Sequence, residues 1–456
     1  MLSCWEDRNR LPQYAALKED MQTEVLVIGG GMTGILCAYF LQEAGVGCML
    51  VEAGRLCQGT TGHTTAKITA QHGLLYDKLV AGWGEELAGM YLQANCLAVE
   101  KYRALCRHIP CEFEDRDNYV YSRNAQLKLE QELAALEKLH YKASFADALG
   151  LPFPVVGAVR FPNQAQFDPL AFVKGLLPEL SVYENTGIVS VKNQEAKTAQ
   201  GFQIRAEKII FATHFPIVNT HGFYFMKMYQ QRSYVLALEG AQQVRGMFVD
   251  EAKNGLSFRN AGGLLLLGGG GHRTGKAGGG WQELRDFAGK YYGKARERYA
   301  WAAQDCMTLD QIPYIGRYGG SRQEWYVATG FGKWGMTSAM VAALVLRDYV
   351  LERENPYAPV FSPARHMKKG QLLANMVEAA ADMMVFSTKR CPHMGCALKW
   401  NGAEHSWDCP CHGSRFSEDG RLLENPATTD GCGKWTGKKL CPDGDDRSGC
   451  DENSSD

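Results

Sequence analysis

The chain lacks any run of about 18 apolar residues, the length a membrane-crossing helix needs. Its first twenty residues, MLSCWEDRNRLPQYAALKED, lack the apolar segment of a secretory signal. These absences read as a soluble, cytoplasmic protein with no membrane span. An excess of either charge is missing too. A formal net charge of -1 over 456 residues leaves no electrostatic footprint for nucleic acid or an anionic membrane surface. A recognisable catalytic base is also wanting, since His63, His72, His214 and His272 each read first as structural histidines with satisfied hydrogen bonds. Cysteine, by contrast, is plentiful but unevenly spread: eight of the fifteen precede residue 307 and read as buried free thiols, and seven follow residue 390. The C-terminal end therefore carries chemistry of its own.

The length suits two or three domains. The stretch EVLVIGGGMTGILCAYFLQEAGVGCMLVE, residues 24–52, reads as strand, glycine turn, helix and strand. Gly29, Gly31 and Gly34 follow the G-x-G-x-x-G spacing, in which the first permits a tight turn, the second close approach of a pyrophosphate and the third packing of helix on strand. The helix N-terminus then faces the phosphates, and Glu52 ends the next strand where a carboxylate accepts hydrogen bonds from a ribose. The loop at 53–73 offers Thr64 and Thr65 as further donors, with Lys67 as a cofactor contact and catalytic candidate. No second fingerprint of this kind follows, which argues against a separate NAD(P)H site.

Helical periodicity marks 75–108 and 124–140, strands begin beyond Phe161, and Lys208 to Pro216 reads as a buried strand returning to the first parallel sheet. SYVLALE and GLLLLGG suit an antiparallel second lobe. Gly270, Gly275 and Lys276 imitate a phosphate-binding loop, but Ala277 lacks the hydroxyl that would hold magnesium, and the AGGGW that follows is a poor helix start. That run reads instead as a mobile loop whose His272 and Arg273 face a substrate, His272 being a catalytic candidate. The segment WYVATGFGKWGMTSAMVAALVLRDYVL is expected to form a strand, a glycine-rich bend and a long helix. Gly330, Gly332, Gly335, Met336 and Thr337 then aim donors and a helix N-terminus at the far end of one long cofactor, FAD.

GGGMTG with Glu52, the ATH strand end, TLDQIPYIG and ATGFGKWG together resemble the FAD-dependent D-amino acid and glycine oxidase superfamily over roughly residues 22–350. The resemblance implies an α/β doubly wound FAD-binding domain beside a mixed-sheet substrate domain, oxidising C–N bonds by hydride transfer. It also implies that Lys333 holds a substrate carboxylate. The chain departs from the family's W-x-G-x-R pattern at Trp301, Ala303 and Asp305. The expected FAD-binding parts are about 20–80, 165–215 and 300–350, and the substrate parts 81–164 and 216–299.

A linker, 351–376, carries Pro356, Pro359 and Pro363. Beyond it CPHMGC, 391–396, and CPCHGS, 409–414, offer Cys391 and Cys409 to one iron and His393 and His412 to another, the ligand set of a Rieske [2Fe-2S] centre. The same four residues suit tetrahedral zinc. WDCPCHGSRF resembles the second loop of Rieske proteins, which implies a Cys396–Cys411 disulfide and a potential-raising hydrogen bond from Ser414, while Phe416 stands where high-potential members have Tyr. A small all-β module over 377–430 is expected, shortened because KKGQLLANMVEAAADMMVF reads as helical, followed by a disordered tail at 431–456 carrying Cys432, Cys441 and Cys450.

The whole resembles a bacterial family of fused FAD-dependent oxidoreductase and Rieske proteins. The reading is a dehydrogenase that takes a hydride from a small amine or amino-acid-like substrate and passes electrons through the cluster to an unknown acceptor. The alternatives are a reductase running in reverse and an electron-transfer or redox-sensing protein.

Overall fold

The computed structural model of the chain describes residues 2–218, 221–319, 324–367, 370–373, 375, 377–378, 387 and 389–431, with backbone alone at 434–435 and 438–439. The tail cysteines 432, 441 and 450 lie outside the described residues.

Met21–Ile28, apolar and buried from Val25 onward, pairs in parallel with Cys48–Val51 on one side and Gln203–Phe211 on the other. Trp325–Thr329 extends the parallel set beyond Gln203–Phe211, and Val182–Tyr183 extends it beyond Cys48–Val51. This is a doubly wound sheet, and the strand expected to return to it from residue 208 onward does so with Val25 opposite Lys208. The helices Met32–Glu43 and Gly335–Val350 share one core with Glu85–Cys106, because nearly continuous apolar sequence leaves each no solvent face of any width.

A second, mixed sheet runs in the order Arg296–Thr308, Met228–Glu239, Leu264–Arg273, Ser257–Ala261, Met247–Asp250, Glu114–Ser122, Gly157–Gln166 and Lys67–Ile68. Its only parallel pairing joins Met247–Asp250 to Glu114–Ser122 among the described strands. Sheet membership moves two expected boundaries. Lys67–Ile68 and Arg296–Thr308 belong to this sheet, the latter through a long antiparallel ladder with Met228–Glu239.

The mobile loop expected over the glycine-rich run 268–280 is also corrected in part. Leu264–Arg273 is a strand and Gly280–Tyr291 a helix, with only the turn at 274–279 between them. Burial of Trp281 and Leu284, and a hydrogen bond from Trp281 Nε1 to the Trp301 carbonyl (3.1 Å), outweigh the weak helix propensity of the glycines.

The C-terminal module is a four-stranded antiparallel sheet, Lys399–Asn401, Ser406–Asp408, Arg415–Ser417 and Leu422–Glu424. Cys391, Cys396, Leu398, Cys409, Cys411 and Phe416 fill its small core. Before it, the described positions between 370 and 378 are helical or unpaired with any sheet, in keeping with a shortened base.

Candidate functional site

The glycine turn is set by contact as much as by backbone freedom. Gly29 has φ of 113°, and a Cβ there would collide with the Ala212 carbonyl oxygen; a Cβ at Gly34 would collide with the Gly29 carbonyl oxygen. Gly31 has open space except for Thr61 Oγ1, 3.3 Å from where its Cβ would stand. Glu52 does more than end its strand. Its two carboxylate oxygens accept from the Gly30 amide (2.7 Å) and the Gly54 amide (2.9 Å), tying the turn to the following loop. Burial pushes the Glu52 carboxyl up, against the pull of those amides.

The 53–73 loop is held from several sides. Met32 at the helix start donates to Thr61 Oγ1 (2.9 Å), Thr60 Oγ1 donates to the Gln304 carbonyl (2.9 Å), and Thr64 Oγ1 accepts from the Ala66 amide (2.9 Å). Lys67 Nζ donates to Thr65 Oγ1 (3.2 Å) and Ser257 Oγ (3.4 Å). Burial, with help from the Arg259 charge, drops the Lys67 ammonium to about 7.

At the other end, Gly330 and Gly332 have φ of 74° and 58°, and the Gly332 amide donates to the Cys306 carbonyl (2.9 Å). That bend presents Lys333 just before Gly335–Val350. Thr337 hydroxyl is committed to Thr69 (3.0 Å to its carbonyl) and stands 3.0 Å from His72 Nε2, while the Met336 carbonyl accepts from Tyr102 (3.0 Å). His72 stacks on Trp334 and hydrogen-bonds Tyr91 (2.6 Å), so it is structural.

Glu52, Lys67, His214 and Lys333 share a telling property. Each keeps solvent-accessible surface, Lys333 the most, yet protein on all sides desolvates its charge. The close-approach glycines of the turn, and Gly335 with nothing within 4 Å of its Cβ position, fit the two ends of a long dinucleotide.

The cluster loops are built alike. In one, the Gly395 amide donates to the Cys391 carbonyl (2.9 Å) and the Cys391 amide to the Cys396 carbonyl (2.9 Å). In the other, Gly413 donates to Cys409 (2.9 Å) and Cys409 to Ser414 (2.8 Å). Gly395 and Gly413, at φ of 76° and 87°, allow both turns. The His393 and His412 rings lie 5.0 Å apart, centroid to centroid.

Both nitrogens of His393 and Nδ1 of His412 are buried without a hydrogen-bond partner. Burial lowers these imidazoles to about 4 and about 3, which leaves neutral rings with lone pairs at pH 7. Orphaned imidazole nitrogens beside the buried Cys391 and Cys409 fit a two-thiolate, two-imidazole iron centre. Ser414 hydroxyl bonds the Cys391 thiol and accepts from the Ala427 amide (3.0 Å).

The Cys396–Cys411 disulfide is not present. No disulfide joins the two, and the Cys396, Cys409 and Cys411 sulfurs gather within 4.8 Å of one another. Cys396 shares its contacts between Cys409 and Cys411 instead of reaching the bonding distance of about 2.05 Å to one of them.

The second loop docks on the mixed sheet. Gln230 Nε2 donates to the His412 carbonyl (3.0 Å) and the Asn425 carbonyl (3.1 Å), and Gln304 Nε2 donates to the Gly413 carbonyl (2.9 Å). Arg232, 2% exposed, pairs with Glu404 and with Glu424 (2.9 Å), and Arg415 joins Glu404, Glu424 and Asp408 in the same network. Gln230, Arg232 and Gln304 thus face the module.

Strand alternation turns their neighbours Gln231, Ser233 and Asp305 to the other face, toward Lys333. His272 and Arg273, expected at the substrate, sit at the docking interface. His272 Nε2 is 3.0 Å from Tyr234 hydroxyl, which reaches Glu404, and Arg273 bonds Asn375 (3.1 Å) and Glu378 (2.6 Å). The docking glutamines carried no motif in the sequence, whereas Asp305 was flagged only by its departure from the family pattern.

Comparison with known proteins agrees with both halves. Residues 24–349 match the model of the FAD dependent oxidoreductase family, and 365–435 match that of the Rieske [2Fe-2S] domain. The Bacillus subtilis (strain 168) protein YhfW, named as a Rieske 2Fe-2S iron-sulfur protein, is 34% identical over 93% of this chain and 95% of its own. Among solved structures, glycine oxidase from Geobacillus kaustophilus superposes with a TM-score of 0.65 at 17% identity, covering 76% of this chain and all of that one. L-proline dehydrogenase from P. horikoshii gives 0.63 at 14%, covering 76% and 98%. At these identities the structural likeness speaks for the fold.

Proposed function

The chain belongs to the FAD-dependent oxidoreductase family and carries a C-terminal Rieske [2Fe-2S] domain, and from that premise we propose that it is a dehydrogenase of a small amine or amino-acid-like molecule whose electrons leave through the cluster. FAD would supply the two-electron hydride acceptor and the cluster a one-electron carrier. In this reading Gly29, Gly31, Gly34, Glu52, Thr64 and Thr65 hold the dinucleotide end, and Gly330, Gly332, Gly335, Met336 and Thr337 hold the far end. Lys333, and more remotely Lys67, offer cationic contacts on the substrate side. Cys391, His393, Cys409 and His412 hold the iron pair.

One observation supports the coupling of the two halves: single side chains bridge the residues read as the flavin site and the second cluster loop. His214, just past the strand Gln203–Phe211, is 3.1 Å from Gln230 Oε1, and Gln230 donates to the His412 carbonyl. Thr60, in the dinucleotide loop, donates to the carbonyl of Gln304, whose amide donates to Gly413. A cluster module held this way needs no swing to approach the residues read as the flavin site. The boundaries that suit this reading are an oxidoreductase part up to about 350 and a module from about 389. Free thiols throughout the first part suit a reducing, cytoplasmic setting. No helix among the described residues is long and apolar enough to cross a membrane.

The test is anaerobic. A panel of small amines and amino acids is mixed with the purified protein, and flavin bleaching is followed by absorbance while the cluster is followed by low-temperature EPR. Bleaching accompanied by a reduced-cluster signal supports the reading. Reduction by a protein donor alone, or zinc without labile sulfide, defeats it.

A further inference from the structure

The ladder between Met228–Glu239 and Arg296–Thr308 sets Asp305 opposite Gln231, one residue from Ser233. Asp305 is 9% exposed, and its hydrogen bond among the described residues comes from Ser233 Oγ to Oδ2 (3.2 Å). Gln231 is 2% exposed, and its Nε2 has no hydrogen-bond partner. Gly271, on the adjoining strand, lies between that amide and the bend. A Cβ there would stand 3.1 Å from Gln231 Nε2, 3.2 Å from the Arg232 carbonyl oxygen and 3.8 Å from Lys333 Nζ, so the amide and the ammonium come close to one another over a glycine. A buried amide donor with no acceptor, an ammonium and a carboxylate that feels its charge are therefore neighbours at one point of the sheet. The donor and the ammonium suit an acid group, and the carboxylate suits a cation.

We propose that Asp305 is the amine-binding residue and general base of this site: it holds the substrate nitrogen as an ammonium and takes one proton from it, while Lys333 and Gln231 hold an acid group of the same molecule beside Gly271. The assignment rests on the amine-oxidising reading above. An ammonium has no lone pair from which a C=N bond can form, so a proton must leave nitrogen before the C–H bond gives up its electron pair. The transfer balances: ammonium and carboxylate become neutral amine and carboxylic acid.

Burial raises the Asp305 carboxyl to about 6, against the pull of Lys333, Ser233 and Arg232, while Glu424 adds to the rise. Lys253 is the further charge felt by Lys333. The ionised base is therefore the main form at neutral pH and is lost as pH falls through about 6.

The experiment uses the full-length holoprotein and three probes: N-methylglycine with both charges, methylammonium with the cation alone, and acetate with the anion alone. Calorimetry is expected to show that Asp305→Asn weakens N-methylglycine and methylammonium by about tenfold or more and leaves acetate unchanged, with Asp305→Glu restoring part of the loss. Flavin and iron contents equal to those of the parent protein report folding. The pH profile of amine binding in the parent rises through about 6, and that limb disappears in Asp305→Asn.

Asp305→Asn binding N-methylglycine within about twofold of the parent, with the limb intact, overturns the proposal. The two readings fail separately. Asp305-dependent binding without flavin bleaching by any amine would retire the oxidation and keep the site; bleaching that survives Asp305→Asn at unchanged affinity would retire Asp305 and keep the oxidation.

Discussion

Gly34 has no room for a side chain because the helix it opens lies directly on the Gly29 carbonyl. Gly34→Val must push the helix away from the turn, and overpacking of this kind costs about 1–3 kcal/mol. The expected outcome is a protein that still folds but purifies with little flavin, read as the ratio of absorbance at the flavin band to that at 280 nm. A variant retaining a full complement of flavin would show that the close packing is not what shapes the cofactor end. Gly289→Ala, on the exposed side of the helix Gly280–Tyr291, is the control, since nothing lies within 4 Å of a Cβ there, and it should keep its flavin.

Elements decide how the two halves are joined. Arg232 comes from a strand of the mixed sheet, while Glu404, Glu424 and Arg415 come from the cluster module, so the network is buried only when the two are together. Arg232→Met leaves Arg415 alone to balance Glu404, Glu424 and Asp408, and breaking a buried pair in this way costs about 3–5 kcal/mol. Limited proteolysis of the linker around 351–390 should quicken several-fold, with flavin content unchanged; an unaltered cleavage rate would mean that other contacts hold the module.

Acid should act in the same place. Burial pushes the Glu424 carboxyl up, but Arg232 and Arg415 outweigh it and hold it at about 2. The folded value lies below the ordinary value of about 4.3 for a glutamate, so its contribution is complete above that pH and fades as pH falls toward 2. Small-angle scattering across that interval should show the module separating, and a compact particle throughout would contradict the role given to Glu424.

The glutamines sit on the same strands and make a different kind of contact. Gln230→Leu with Gln304→Leu removes the two glutamine bonds to the second cluster loop while leaving the ion network and the Arg273 bond to the Cys411 carbonyl (3.5 Å) in place. Stopped-flow measurement of cluster reduction after flavin reduction should slow by about tenfold at unchanged iron content, given the several kcal/mol of positioning such pairs can supply. An unchanged rate would place the electron route elsewhere.

For the whole molecule, two redox sites built from separate elements should be separable. Cys409→Ser or His412→Asn removes a ligand from the module, and the expected product has lost labile sulfide and the reduced-cluster EPR signal while its flavin still bleaches with substrate. Loss of flavin as well would mean that the halves fold as one unit. Much of this arrangement was legible before any coordinates. The turn at Gly29 to Gly34 and the paired cluster loops are local motifs in which a few contiguous residues carry both conformation and chemistry, and the resemblance they support extends to the family.

What was not legible depended on residues far apart in the chain. His272 and Arg273, read as a mobile substrate loop, became the end of a strand at the docking face once Trp281 was buried. The cysteine pair read by resemblance as a disulfide remained two thiols, because a third sulfur shares their space. The sequence by itself determined which cofactors this protein is built for, since glycines at set spacing and Cys and His in matched loops act over a few residues. Only the tertiary structure decided how the elements carrying those motifs pack together and which face of two paired strands each residue serves. That is settled by ladder register between segments some seventy residues apart, 228–239 and 296–308, and a one-residue shift there would exchange Asp305 with Gln304.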